Sequence, residues 1–141
     1  MKLSGVLSAL ALTSAVSATT VSYDTGYDDK SRPMTAVSCS DGKNGLITKY
    51  GWKTQGNIPT KYVGGVNIIE GWNSANCGGC YRLEYKGKKI NVLAIDHAAS
   101  GFNIGLDAMN ALTNGQAVKL GRINAQVLLF DYAGMLSAVN N

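Results

Sequence analysis

Two short clusters carry the side chains most able to do chemistry. One is Asp96-His97, directly after the apolar run Asn91-Val-Leu-Ala-Ile95; the other is Cys77-Gly-Gly-Cys80. A carboxylate beside an imidazole can accept and relay a proton, and a single well-placed carboxylate can anchor a hydroxylated ligand. Two cysteines at this spacing become redox-active when a following helix N-terminus lowers the thiol pKa. Here Tyr81-Arg-Leu-Glu-Tyr85 follows instead, an alternating pattern that predicts a strand, so the cysteines are expected to be structural.

Several reaction classes lack their parts. The chain has one histidine, too few for the three or four clustered ligands of a zinc site, so no metal and no cofactor is expected. No Gly-x-Ser-x-Gly elbow accompanies His97, and Ser100 nearby is weak evidence for a serine triad. Glycoside hydrolysis ordinarily uses two carboxyl groups across the bond. The only glutamates are Glu70 and Glu84, and nothing in the spacing sets either opposite Asp96; Asp107 reads as a solvated or helix-end charge. Asp96 therefore has two equally good readings, a sugar-contacting carboxylate or a structural one that accepts backbone N–H bonds. Among the aromatics, Tyr23 and Tyr27 sit among aspartates and are the better surface candidates, while Trp72 near Cys77 reads as packing.

Two strands joined at Lys86-Gly-Lys88 must position these groups, with Asn91–Ile95 central in a sheet. Further strands are predicted near Val21, over Gly64–Ile69 and over Arg122–Phe130. A short helix is expected over Leu46–Tyr50, ending at Gly51. A longer one is predicted from an N-cap at Asn103, with Ile104, Ala108, Ala111 and Leu112 on one face and a stop at Asn114-Gly115. Several short strands and few helices suggest a small β-barrel with helices outside it.

Residues 1–18 have the form of a signal peptide: a basic start, an apolar stretch and small residues ending at Ala18. A mature domain over residues 19–141 follows from that reading. No stretch approaches the roughly 20 apolar residues of a membrane span. The formal net charge is +4, but the basic residues form no stripe, and Lys86, Lys88 and Lys89 fall on the predicted turn. Nucleic acid is accordingly not an expected partner.

A series of ordered motifs then resembles the cerato-platanin proteins. It comprises Ser22-Tyr-Asp24 with Tyr27-Asp28, Cys39-Ser-Asp-Gly42, Asn44-Gly-Leu-Ile-Thr-Lys-Tyr-Gly51 and Gly71-Trp-Asn-Ser74. Asn76-Cys77-Gly-x-Cys80, Ala94-Ile-Asp-His-Ala98, Gly101-Phe-Asn-Ile104 and Leu106-Asp-Ala-Met-Asn110 continue it, from about Val21 to Gln126. The resemblance implies a mainly β fold with short helices, a six-stranded double-ψ β-barrel related to expansins. It implies secretion to the extracellular space and fungal cell wall, and non-hydrolytic binding of chitin-type N-acetylglucosamine oligomers. Elicitation of plant defence through immune receptors, polysaccharide loosening or weak cleavage using Asp96, and self-association at surfaces are further implied possibilities.

By motif position, Asp96 is the expected carbohydrate-binding residue, with Tyr23, Asp24, Asp41, Gly42, Asn44 and Asn103 as neighbours. The family's pairing implies a Cys39–Cys77 bridge. Cys80 would then have lost its bridge, because no fourth cysteine follows and residues 127–141 depart from the usual family ending.

Overall fold

The computed structural model describes residues 16–130. Its most local element is the predicted hairpin, β3 (Cys80–Tyr85) and β4 (Lys88–His97). Leu83 faces Ile90 and Tyr81 faces Val92 in the antiparallel register, and all four are buried. Lys86 and Gly87 both have positive φ (48° and 83°), the two-residue turn whose twist matches that of paired strands.

Around this hairpin the chain adds β1 (Ser17–Tyr23), β2 (Tyr62–Val66), β5 (Phe102–Ile104) and β6 (Arg122–Phe130). The six strands close into a barrel in the order β1-β5-β2-β4-β3-β6. Two of the pairings, β1–β5 and β2–β4, are parallel and interlock through crossovers. This is the expected six-stranded barrel. Closure leaves no open edge strand, which matters for a short chain of strands with unsatisfied backbone groups. Val92, Leu93 and Ile95 of β4 pack in the interior with Val21, Leu83 and Ile104, so the continuous apolar run is central as predicted.

Among the described residues three short α-helices lie outside: α1 (Leu46–Tyr50), α2 (Leu106–Thr113) and α3 (Ala117–Leu120). α1 ends at Gly51 in the left-handed conformation, and α2 ends at Asn114, also left-handed, both as expected. The start of α2 differs from the sequence reading. Asn103 and Ile104 belong to β5, between β1 and β2, and the N-cap position falls at Gly105, two residues later than predicted. Strand pairing on both sides of β5 outweighs the local capping preference of asparagine. The cap comes from elsewhere: both carboxylate oxygens of Asp28 accept helix N–H groups, from Leu106 at 2.7 Å and Asp107 at 3.0 Å.

The predicted leader lies outside the described residues except for Val16–Ala18, of which Ser17 and Ala18 open β1 and pair with Val127 and Gln126. The C-terminal segment read as atypical, residues 127–141, begins inside β6, where Val127, Leu128 and Leu129 pair with β3; residues 131–141 lie outside the described residues.

Candidate functional site

Asp96 lies near the end of β4, in register with Gly65 of β2, which in turn faces Asn103 of β5. Its carboxylate is half-buried and holds three donors. Oδ1 accepts the backbone N–H groups of Ser38 and of His97, each at 2.9 Å, and Oδ2 accepts the Tyr27 hydroxyl at 2.8 Å. Tyr27 is 6% exposed, so it is a buried partner and not the surface aromatic anticipated from its polar neighbours. Burial first, and then the adjacent Asp96 charge, push its phenol well above the usual value near 10, so it stays a hydroxyl donor. Through these bonds Asp96 ties the 3-10 turn Thr25–Asp28 and the loop at Ser38 to the barrel.

The Asp96-His97 pair does not form a side-chain dyad. Successive residues of a strand point to opposite faces. The His97 ring turns to the Ile69 carbonyl, 2.6 Å from Nδ1; since a carbonyl only accepts, Nδ1 carries the proton.

Beyond Ser38 the chain enters a second construction. Cys39 donates its N–H to the Ile95 carbonyl and is bridged to Cys77, so the loops at residues 39–45 and 71–77 are held side by side. The expected Cys39–Cys77 disulfide is present. Cys80 is a buried thiol whose sulfur lies 4.0 Å from the Gly78 carbonyl. On the bridged loops sits Trp72, 63% exposed and thus not the packing residue the sequence suggested. Its indole N–H donates to the Asp41 carboxylate at 2.6 Å. Asn44 donates its backbone N–H to Asn73 Oδ1 at 2.9 Å and its amide to the Asn73 carbonyl at 3.0 Å. Gly42 has φ +81°, and a Cβ there would come within 2.9 Å of the indole carbon Cζ2. Only glycine fits beneath the ring. The result is an exposed indole fixed in orientation and rimmed by Asp41, Asn44 and Asn73.

The fold therefore brings Asp41, Gly42 and Asn44 together, and links them to Asp96 through Ser38 and Cys39. Tyr23 on β1, Asp24 just after it and Asn103 on β5 lie outside those bridged loops. Tyr23 is half-buried against the core, Asp24 caps the turn at Gly26 N–H (2.8 Å), and Asn103 Oδ1 accepts the Ser22 hydroxyl at 3.2 Å. Sequence reasoning missed Trp72 and Asn73 as site residues. The signal was their setting in Gly71-Trp-Asn-Ser-Ala-Asn76, a run of turn-formers in which a tryptophan has little to pack on. Among the described residues, no group of three or more His, Cys, Asp or Glu could hold a metal ion, and no helix is long and apolar enough to cross a membrane.

The cerato-platanin family model matches residues 19–134 of this chain. The chain belongs to the cerato-platanin family. The match runs past Gln126, where the motif resemblance was expected to stop. Cerato-platanin of Ceratocystis fimbriata f. sp. platani is 30% identical over 136 residues, covering 94% of this chain and 98% of that protein. The heat-stable 19 kDa antigen of Coccidioides posadasii is 56% identical over 104 residues, 73% of this chain and 70% of the relative. Among solved structures, cerato-platanin 3 from M. perniciosa superposes with a TM-score of 0.80 at 45% identity, covering 89% of this chain and all (100%) of that one. The solution structure of the fungal elicitor cerato-platanin gives a TM-score of 0.76 at 31% identity, covering 86% and 99%.

Proposed function

We propose that the protein is a secreted, non-hydrolytic fungal wall protein that binds chitin-type N-acetylglucosamine oligomers and acts as an elicitor of plant defence. The observation that carries the binding reading is Trp72. An indole this exposed, yet held by Asp41 and seated on a glycine, presents a flat apolar face to a ring while polar groups surround it. Sugar recognition needs that combination: stacking on the apolar face of a pyranose, and amide or carboxylate groups for its hydroxyl and acetamido substituents. Asn44, Asn73 and Asp41 supply the polar rim.

Asp96 takes the role of a positioning residue with one lone pair left for a ligand hydroxyl. Three of its roughly four lone-pair directions are occupied by Tyr27, Ser38 and His97. A carboxylate so engaged is poorly suited to acid–base catalysis, which supports a non-hydrolytic reading. The elicitor role rests on the likeness to the solved cerato-platanin described as a fungal elicitor.

The test is titration of the folded protein with N-acetylglucosamine hexamer, followed by tryptophan fluorescence. Trp52 is buried and stacked on Tyr50 at 4.3 Å, so an added ligand that changes emission reports on Trp72. Binding is expected to be saturable, without product release, and about tenfold weaker in Trp72→Ala, or ~1.4 kcal/mol. Unchanged affinity in Trp72→Ala would remove this surface from the proposal, and reducing sugar released from chitin would remove the non-hydrolytic part.

A further inference from the structure

Helix α2 is flanked by three adjoining clefts, none of them lined by a residue of the Trp72 loops. The first, about 560 Å³, is bounded by Lys30, Lys61, Tyr62, Asp107 and Asn110. The second, about 360 Å³, shares Lys61, Tyr62 and Ala111 with the first and adds Lys88 and Lys89. The third, about 410 Å³, shares Lys88 with the second and continues to Lys86, Tyr85 and Asn114. They form one groove along the helix, at least the ~12 Å length of eight helical residues.

Five lysines line it, all exposed. None of the five forms an ion pair with a carboxylate among the described residues. The carboxylates in or beside the groove do not balance them. Asp28 is turned to the N-terminus of α2 and satisfied there, Asp107 lies at one end, and Glu84 sits across the strand pair from Lys89 at the margin. Lysines scattered in sequence at positions 30, 61 and 86–89 thus converge on a single concave face, which their spacing along the chain does not reveal.

We propose that this groove binds a linear carboxylated polysaccharide, a polyuronate. The positive rim selects an anion, and the length and concavity select a chain over a flat surface. Along the groove Asn91, Asn110, Asn114 and Gln116 offer amides to a hydroxyl-rich backbone. The two aromatic rings disfavour single-stranded nucleic acid, because base stacking needs open ring faces. Lys61 lies over the Tyr62 ring at 5.5 Å and Lys86 over Tyr85 at 5.4 Å, so one face of each ring carries a cation, and both rings are partly buried against the core. The groove contains no arginine, whose planar fork recognises phosphate bidentately.

Calorimetric and NMR titration of the whole secreted chain with oligogalacturonate tests the proposal. At low salt, shifts are expected at Ala111, Asn114 and the flanking lysines, and not at Trp72. Lys61→Gln with Lys88→Gln removes two exposed contacts without touching the core, and about a tenfold loss of affinity is expected. Binding should vanish for the methyl-esterified oligomer, and near 1 M salt, where the Debye length is ~3 Å. No uronate binding at low salt, full affinity in the double variant, or equal binding of the ester would overturn the proposal. So would tighter binding of a single-stranded oligonucleotide or of anionic lipid vesicles. N-acetylglucosamine hexamer, run in parallel, reads the Trp72 surface separately.

Discussion

Removing the Asp96 carboxylate separates a structural role from direct ligand contact. In Asp96→Ala, the Tyr27 hydroxyl and the Ser38 N–H lose their acceptor in a poorly hydrated site, whereas the His97 N–H belongs to an exposed residue and turns to water. Each orphaned buried donor costs about 1–3 kcal/mol, which puts the substitution at roughly 3 kcal/mol. That is a large share of the stability of a single domain and corresponds to a fall in Tm of roughly 10 °C. Asp96→Asn keeps an oxygen for the two backbone donors and sets an amide against the phenol, which can accept from it. A loss of about 1 kcal/mol is expected there. Urea denaturation of both variants, with the hexamer titration repeated on each under folding conditions, gives the comparison. If the carboxylate positions the Ser38–Asp41 segment, Asp96→Asn keeps its affinity within about threefold, ~0.7 kcal/mol. An Asp96→Asn protein of near-native stability that loses more than about tenfold in affinity would refute the reasoning and make Asp96 a direct sugar contact. A change below about 0.5 kcal/mol in Asp96→Ala would show that the three hydrogen bonds contribute little.

Other substitutions test the supports. Asp28→Ala removes two charge-assisted bonds at the start of α2 and is expected to lower stability by about 2 kcal/mol in urea titration, with Asp28→Asn recovering part of it. Raising the pH tests Tyr27: its folded pKa lies above its unfolded value near 10, so its contribution is intact below pH 10 and is lost as pH rises beyond it. The slope is at most about 1.4 kcal/mol per pH unit for this group, and Tyr27→Phe should be correspondingly flatter in alkaline melts. Tyr81, raised by burial and then by Cys80, adds to the same alkaline limb. Opening the Cys39–Cys77 bridge, which spans a sequence separation of 38, should cost about 4 kcal/mol by loop entropy, read as a lower urea midpoint in Cys39→Ser with Cys77→Ser.

The hairpin was legible because its information is local, whereas the six-stranded barrel, closed by β1 and β6 from opposite ends of the described chain, came from the family resemblance. Alternation in Tyr81–Tyr85, the Lys86-Gly87 turn and the apolar run into Ile95 fix β3 and β4 without help from the rest of the chain. The start of α2 was not, since its cap is supplied by Asp28, 78 residues away, and the asparagine that looked like the cap was claimed by two neighbouring strands. The candidate site shows the same division. Motif order assembled Asp41, Gly42 and Asn44, but the polar company of Tyr27 concealed a buried phenol, and the size of Trp72 concealed an exposed indole. Both inversions arise from contacts at long range: Tyr27 with Asp96 is a separation of 69, and Trp72 with Asp41 one of 31.

The pairing of β1 with β6, with Thr19 opposite Ala125 and Val21 opposite Ile123, brings the start and the end of the barrel together, so closure needs strands more than 100 residues apart in sequence. A nascent polypeptide cannot complete this barrel until β6 has emerged from the ribosome. Segments such as the β3–β4 hairpin and α2 can form early, but the seam waits. Loop-closure entropy over more than 100 residues is met only then, which places folding in the slow range of non-local β topologies, roughly milliseconds to seconds. A chain ordered this way remains threadable for its entire synthesis, and truncation within β6 removes the seam along with its last residues.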